Sequence, residues 1–272
     1  MLLYTTRRLQ RLRTSATLRH AHPTNPASMN PPTLLNHPFD AHTSLSKLIL
    51  THYDLLMVIT RFGIPLGFGD KSVDEVCQAK GVDTNTLLAV VNMLTTQSDT
   101  IPEELLQDIS AESLIAYLQR SHHYFLDYKL PDLRGDLFRA VEEGSPEVAA
   151  LIHRFYDAYV EEVHKHMGYE DEVLFPYVHR LLQGERDKNY SIDEFESRHD
   201  HIEMKITDLK NILIKYYQSM GDYALTNVLH ELFTTESDLM WHNHIEDCLF
   251  VPLIKQLEER LAEDSSKVAK IN

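Results

Sequence analysis

The chain has 272 residues, 43% of them apolar and 25% charged, the balance of an ordinary globular protein with one large or two small domains. Its formal net charge of −15 argues against nonspecific nucleic-acid binding and against anionic membrane surfaces, and no run reaches the roughly 18 apolar residues of a membrane span. The two cysteines, Cys77 and Cys248, lie far apart and outside any Cys-x-x-Cys motif, which argues against a disulfide scaffold and for a reducing cytoplasm.

Residues 1–42 are expected to form a disordered N-terminal tail. Within it, residues 1–28 carry Arg7, Arg8, Arg11, Arg13 and Arg19 and no acidic residue, the composition of an organelle transit peptide or of a start called too far upstream, with Met29 as the real first residue. The second reading is preferred. Pro31, Pro32 and Pro38 fit a tail. Residues 43–98 read as a small helical domain of three short helices. The first follows Ser44 and carries Leu45, Leu48, Ile49, Leu56 and Ile59 in helical phase. Glycines 63, 67 and 69 then mark a break. Ser72 and Glu75 have the spacing of a capping box, and Asp83 leads into the apolar stretch 87–94. No basic recognition face accompanies these helices.

Residues 99–110 are expected to be a polar linker, residues 111–262 four longer helices, and residues 263–272 a C-terminal tail. The first long helix is expected from about Ala111 to Leu130, stopped by Pro131. The second opens at Ser145 with Pro146 at its first helical position and ends near Gly184. The third opens at Ser191 with Glu194 at capping-box spacing. The fourth runs from after Asp222 to about Leu261. Short loops between long helices favour antiparallel neighbours, so the fold class is all-α, an antiparallel four-helix bundle preceded by a small helical domain.

The bundle region repeats one set of metal-binding residue types at a separation of 76 positions: His123 and His199, His166 and His242, Glu170 and Glu246. The last two of each copy form His-x3-Glu, which on a helix puts both side chains on one face a turn apart. His166 and Glu170 share the phase of Val163, Leu174, Val178 and Leu181, and His242 and Glu246 that of Leu232, Leu239, Leu249 and Leu253. His199 fits the stripe of Phe195, Ile202 and Ile206. All therefore point inward, and two inward glutamates without a cation would be strongly disfavoured. Four imidazoles and two carboxylates from four helices describe a dinuclear site for iron, manganese or zinc. On the first helix the two criteria diverge: the phase of Ile115, Leu118 and Leu126 selects His122, and the repeat selects His123. His123 is preferred and His122 kept as the alternative. Glu172, Glu203 and His244 are candidates for a supporting layer. No residue is assigned a catalytic role.

At these residues the chain resembles the hemerythrin-like, HHE cation-binding family. The resemblance covers about residues 111–262. It is carried by His122-His123-x6-Leu130-Pro131, His166-x3-Glu170-x3-Leu174-Phe175-Pro176, Glu196-Ser197-Arg198-His199-Asp200 and His242-x3-Glu246-x2-Leu249-Phe250. It is most similar to the di-iron branch associated with repair of iron–sulfur centres. That resemblance implies two non-haem irons, terminal ligands His123, His166, His199 and His242, and bridging Glu170 and Glu246. Manganese and zinc rank behind iron. It also implies a role in repairing or protecting iron–sulfur clusters under oxidative or nitrosative stress, with O2 or nitric oxide as small ligands and iron–sulfur proteins as partners. The alternative is a module that binds or senses O2 or nitric oxide without turnover. The adjacent cysteines that often mark the small N-terminal domain of this branch are missing, since residues 43–98 contain only Cys77. Oxygen carriers of the family use a His-x3-His pair, whereas here Glu203 stands four residues after His199. The fourth-helix motif is one residue shorter than the second-helix motif between its Glu and its Leu-Phe pair, which implies an imperfect repeat beyond the site.

Overall fold

The computed structural model describes residues 39–98, 101–142, 144–187, 189–198, 203–218 and 223–271, with the side chains of 197–204 and 265–271 not described. The described residues form helices and one isolated bridge between Ser44 and Ser72, without strands. The expected tail falls outside the described residues up to position 38. From Phe39 onward the chain is tied down: Asn92 Oδ1 accepts from the Phe39 amide at 2.7 Å, and Asn92 Nδ2 donates to the Phe39 carbonyl at 2.9 Å.

Four short helices, not three, open the folded part: α1 (Leu45–Thr51), α2 (Leu55–Arg61), α3 (Val73–Lys80) and α4 (Thr84–Thr96). The apolar stretch read as one helix breaks at His52, whose φ of −137° and ψ of 81° leave the helical region. Just before it, the Thr51 hydroxyl donates to the Lys47 carbonyl at 2.7 Å. The capping box of Ser72 and Glu75 is present, and Asp83 caps α4 by accepting from the Thr86 amide at 2.7 Å. Between 99 and 110 the chain holds α5 (Glu103–Leu106), and Leu106 is buried.

Four rods follow. The first comprises α6 (Ala111–His123), a π-turn (Tyr124–Lys129) and α7 (Leu130–Val141). The second comprises α8 (Pro146–Tyr169), a π-turn (Glu170–Leu174) and α9 (Phe175–Leu182). The third contains α10 (Ile192–Arg198) and α11 (Glu203–Lys215). The fourth comprises α12 (Tyr223–Ile245), a π-turn (Glu246–Phe250) and α13 (Val251–Ile271). α7 packs on α8 and α12, and α11 on α8 and α12, giving the antiparallel bundle.

Pro131 does not stop the first rod. A proline inside an α-helix lacks an N–H and its ring collides with the carbonyl four residues back. The rods absorb this by widening one turn immediately before each of Pro131, Pro176 and Pro252. In each case the residue preceding the proline donates to the carbonyl five residues back: Leu130 to Phe125, Phe175 to Glu170, Val251 to Glu246. Measured from the prolines, the second and fourth rods keep the 76-residue repeat throughout. The one-residue mismatch expected from the Leu-Phe pairs disappears, because Phe175-Pro176 corresponds to Val251-Pro252.

Two apolar clusters fill the interior. One joins the N-terminal helices to α6, α9 and α13, with Leu48, Ile59, Leu118 and Leu249 among its members. The other holds Phe125, Val163, Met167 and Leu239. The N-terminal helices thus share a core with the bundle. Gly63, which ends α2, has φ of +76°, and a Cβ there would lie 3.3 Å from Cζ of Arg120. Gly63→Ala should cost about 1–2 kcal/mol, the cost of an L-residue in left-handed backbone. Urea unfolding of the metal-free protein measures it, and an unchanged midpoint would mean that the turn relaxes into another backbone conformation.

Candidate metal centre

The boundary between the two apolar clusters crosses the first, second and fourth rods at the same kind of residue. On the first it passes between Leu118 and Phe125, on the second between Met167 and Leu174, and on the fourth between Leu239 and Ile245. His122, Glu170, His242 and Glu246 occupy that layer, each no more than 1% exposed. One ligand-type atom from each lies within 4.8 Å of the others.

Nε2 of His122 is 2.9 Å from Oε2 of Glu170, and Nε2 of His166 is 2.9 Å from Oε1 of the same carboxylate. Glu170 therefore stands between two imidazoles from different rods. Nε2 of His242 is 3.1 Å from Oε1 of Glu246. The rings of His122 and His242 meet edge to face at 5.2 Å, and Phe175 stacks on His122 at 5.6 Å with an 18° interplanar angle.

These separations are those of hydrogen bonds, but the directions are not. Neither ring nitrogen of His122 or His242, and neither oxygen of Glu170, completes a hydrogen bond of acceptable geometry, although all are buried. Buried polar atoms that converge without sharing hydrogens in line suit a cation between them, and imidazole with carboxylate suits iron, manganese or zinc. The electrostatics agree. Burial disfavours a charged His122, but the carboxylates of Asp171, Glu170 and Glu246 outweigh it and push this imidazole up to about 9.

The structure brings together four of the expected residues, His166, Glu170, His242 and Glu246, and adds His122. It does not bring His123 to them. His123 is 61% exposed, paired with the Asp127 carboxylate on the bundle surface. The apolar phase, not the repeat, identifies the inward histidine of the first rod. His199 and the Glu203 side chain lie outside the described residues. Glu172 is exposed. His244 faces the N-terminal helices instead: its Nε2 lies 3.0 Å from the Ser98 carbonyl and its Nδ1 3.6 Å from Cys248 Sγ.

Asp171 is the residue that sequence reasoning missed. Its Oδ2 lies 3.1 Å from Nδ1 of His122, while Nε2 of the same ring lies 2.9 Å from Glu170. A signal was present, because the repeat extends one residue further, to Glu170-Asp171 and Glu246-Asp247. A small cavity adjoins the cluster beside His166, lined by the apolar Val163, Met167, Ile206 and Leu239 and by Tyr159, Glu236 and Asn243.

Comparison with known proteins agrees with this arrangement. The iron-sulfur cluster repair protein ScdA of Staphylococcus haemolyticus (strain JCSC1435) is 25% identical over 197 residues, covering 70% of this chain and 87% of that protein. No solved structure matches the chain. The model of the hemerythrin HHE cation binding domain matches residues 113–254, which is 142 of the 272 residues and includes every member of the buried cluster. The chain belongs to the hemerythrin HHE cation binding domain family.

Proposed function

We propose that this chain is a non-haem di-iron protein that repairs or protects iron–sulfur clusters under oxidative or nitrosative stress. In this reading His122, His166 and His242, with His199 as the fourth imidazole, and the carboxylates of Glu170 and Glu246 would hold the two ions. The single observation that carries it is the doubled His-x3-Glu pair, with both glutamates buried against their own imidazoles and converging with His122 of the first rod within 4.8 Å. The name of the ScdA relative supports the repair role. Its match covers 70% of this chain, more than the bundle domain alone.

Iron bound here would supply a redox change and exchangeable coordination positions. The protein's own residues do the rest. The carboxylates offset the cationic charge, Asp171 holds the His122 ring, and the two apolar clusters keep bulk water from the layer. Among the described residues no helix is long and apolar enough to cross a membrane, and neither Cys77 nor Cys248 is in a disulfide. A reducing cytoplasm suits such a chain, and iron–sulfur proteins are its proposed partners.

The small cavity beside His166 favours a second reading, a module that binds or senses O2 or nitric oxide. The two separate by the fate of the metal. Anaerobic reconstitution should load two irons per chain, and incubation with an apo iron–sulfur protein should then transfer iron to it. Iron retained in full, with a spectrum that changes on nitric oxide, would favour the sensor. One ion or none after reconstitution would remove the di-iron reading altogether.

A further inference from the structure

Arg61, the last residue of α2, is 4% exposed. A guanidinium at that depth requires an anion with matching geometry. Its Nη1 and Nη2 donate to Oδ1 and Oδ2 of Asp238 at 2.7 and 2.6 Å, a bidentate fork across 177 positions of sequence. Asp238 stands on α12 four residues before His242, hence one turn away on the same face. The guanidinium also lies 5.1 Å from the ring centre of Tyr124 and 5.0 Å from that of Phe125, both in the first π-turn. Phe125 in turn meets the His242 ring edge to face, with centres 6.0 Å apart and an interplanar angle of 75°. From the other side, Arg120 of α6 donates to the Arg61 carbonyl at 3.1 Å.

We propose that Arg61 is a positioning residue of the metal centre. It holds Phe125 against His242 and anchors the turn of α12 from which His242 projects, so that the N-terminal helices form part of the wall of the centre. The inference rests on the reading of the His/Glu cluster as a metal site. A plain docking contact would also use an Arg–Asp pair. The arrangement here differs because two of the groups that the guanidinium touches on the bundle, Phe125 and Asp238, lead to the same imidazole, one through space and one through a helical turn.

Cobalt(II) bound to the full chain tests this, since its visible spectrum reports ligand geometry and its release to excess EDTA reports retention. Arg61→Lys keeps the charge but not the fork, Asp238→Asn keeps the shape but not the charge, and Phe125→Leu keeps the ion pair but removes the ring. Tyr156→Phe is the control: it removes a buried hydrogen bond of 2.7 Å to the Leu130 carbonyl, which has no contact with His242. We expect the first three variants to release cobalt about tenfold faster with an altered spectrum, the scale of effect found for residues that orient a ligand. Tyr156→Phe should release like the parent. Arg61→Lys and Asp238→Asn that melt lower yet keep the parental spectrum and release within about twofold would reduce Arg61 to a docking contact. So would a control that accelerates release equally. If Arg61→Lys and Asp238→Asn do not fold, Phe125→Leu decides: a parental spectrum and release rate overturn the inference. A parent chain that takes up no cobalt overturns the metal reading, and this inference falls with it.

Discussion

Glu170→Gln and Glu246→Gln should each cost the chain at least one metal ion. Glutamine preserves the shape of the side chain and removes its anionic charge. Glu170 is fully buried, with one oxygen 2.9 Å from His122 and the other 2.9 Å from His166. A carboxylate in that position costs several kcal/mol unless a cation offsets it, and two cations held close need the anion as much as it needs them. Elemental analysis after anaerobic loading should find two irons in the parent and one or none in either variant. Stability should follow. Metal bound only to the folded state, at a hundredfold excess over Kd, adds about 2.7 kcal/mol per site by mass action. The parent should therefore melt higher loaded than metal-free, and the variants should lose most of that gap while remaining helical. Gln variants that hold two irons as tightly as the parent would show that these carboxylates are not bridges. A metal-free parent as heat-stable as its loaded form would show that the site is weak or misplaced.

His122→Ala and His123→Ala should differ sharply although the residues are neighbours. His122 contacts Glu170 and Asp171 and stacks on Phe175, so its loss removes a proposed ligand, opens a cavity and leaves two carboxylates without their common partner. Iron occupancy should fall, and the metal-free protein should itself lose about 1–3 kcal/mol for the polar groups left unpaired. His123 is on the surface beside Asp127, and its replacement should stay within about 0.5 kcal/mol and leave the iron count unchanged. Loss of iron in His123→Ala, with His122→Ala loaded normally, would mean that the first rod turns by a residue when metal binds.

Much of the fold and of the candidate site can be read without coordinates, because both rest on periodicities. The bundle helices announce themselves by apolar phase and, for the second, by Pro146 at its first turn, and the two His-x3-Glu pairs by their separation. The first rod shows which signal to prefer when two conflict. His123 continues a numerical repeat, whereas His122 continues the stripe of Ile115 and Leu118. Only the stripe has a physical cause, since burial acts on a face. The π-turns were harder to foresee. Pro131 inside a long apolar pattern looks like a helix end by the ordinary rule, and only a wider turn, with the donor moved back one residue, lets the rod continue there as it does through Pro176 and Pro252. Arg61 was invisible for another reason. A lone arginine in a short helix carries no mark of a partner 177 positions away, and long-range pairing has no local pattern. The small N-terminal helices looked like a separate domain because their turns are local, while the core they share with the bundle is not.

The π-turns that begin at Glu170 and Glu246 also fix where this chain can change length. Each glutamate is tied through its own carbonyl to the residue before a proline, so the interval from glutamate to proline is a closed unit in both rods. Deleting one residue inside it would restore ordinary helical winding but place the proline ring against a carbonyl. It would also turn everything downstream by about 100°, the angle of one residue in a helix of 3.6 per turn, carrying the stripe of α9 or α13 off the core. The loop between α9 and α10 carries no such constraint and can lengthen at little cost. Among homologous chains, insertions and deletions should therefore gather in the loops between rods, while the spacing from each glutamate to its proline stays constant even where the intervening residues differ.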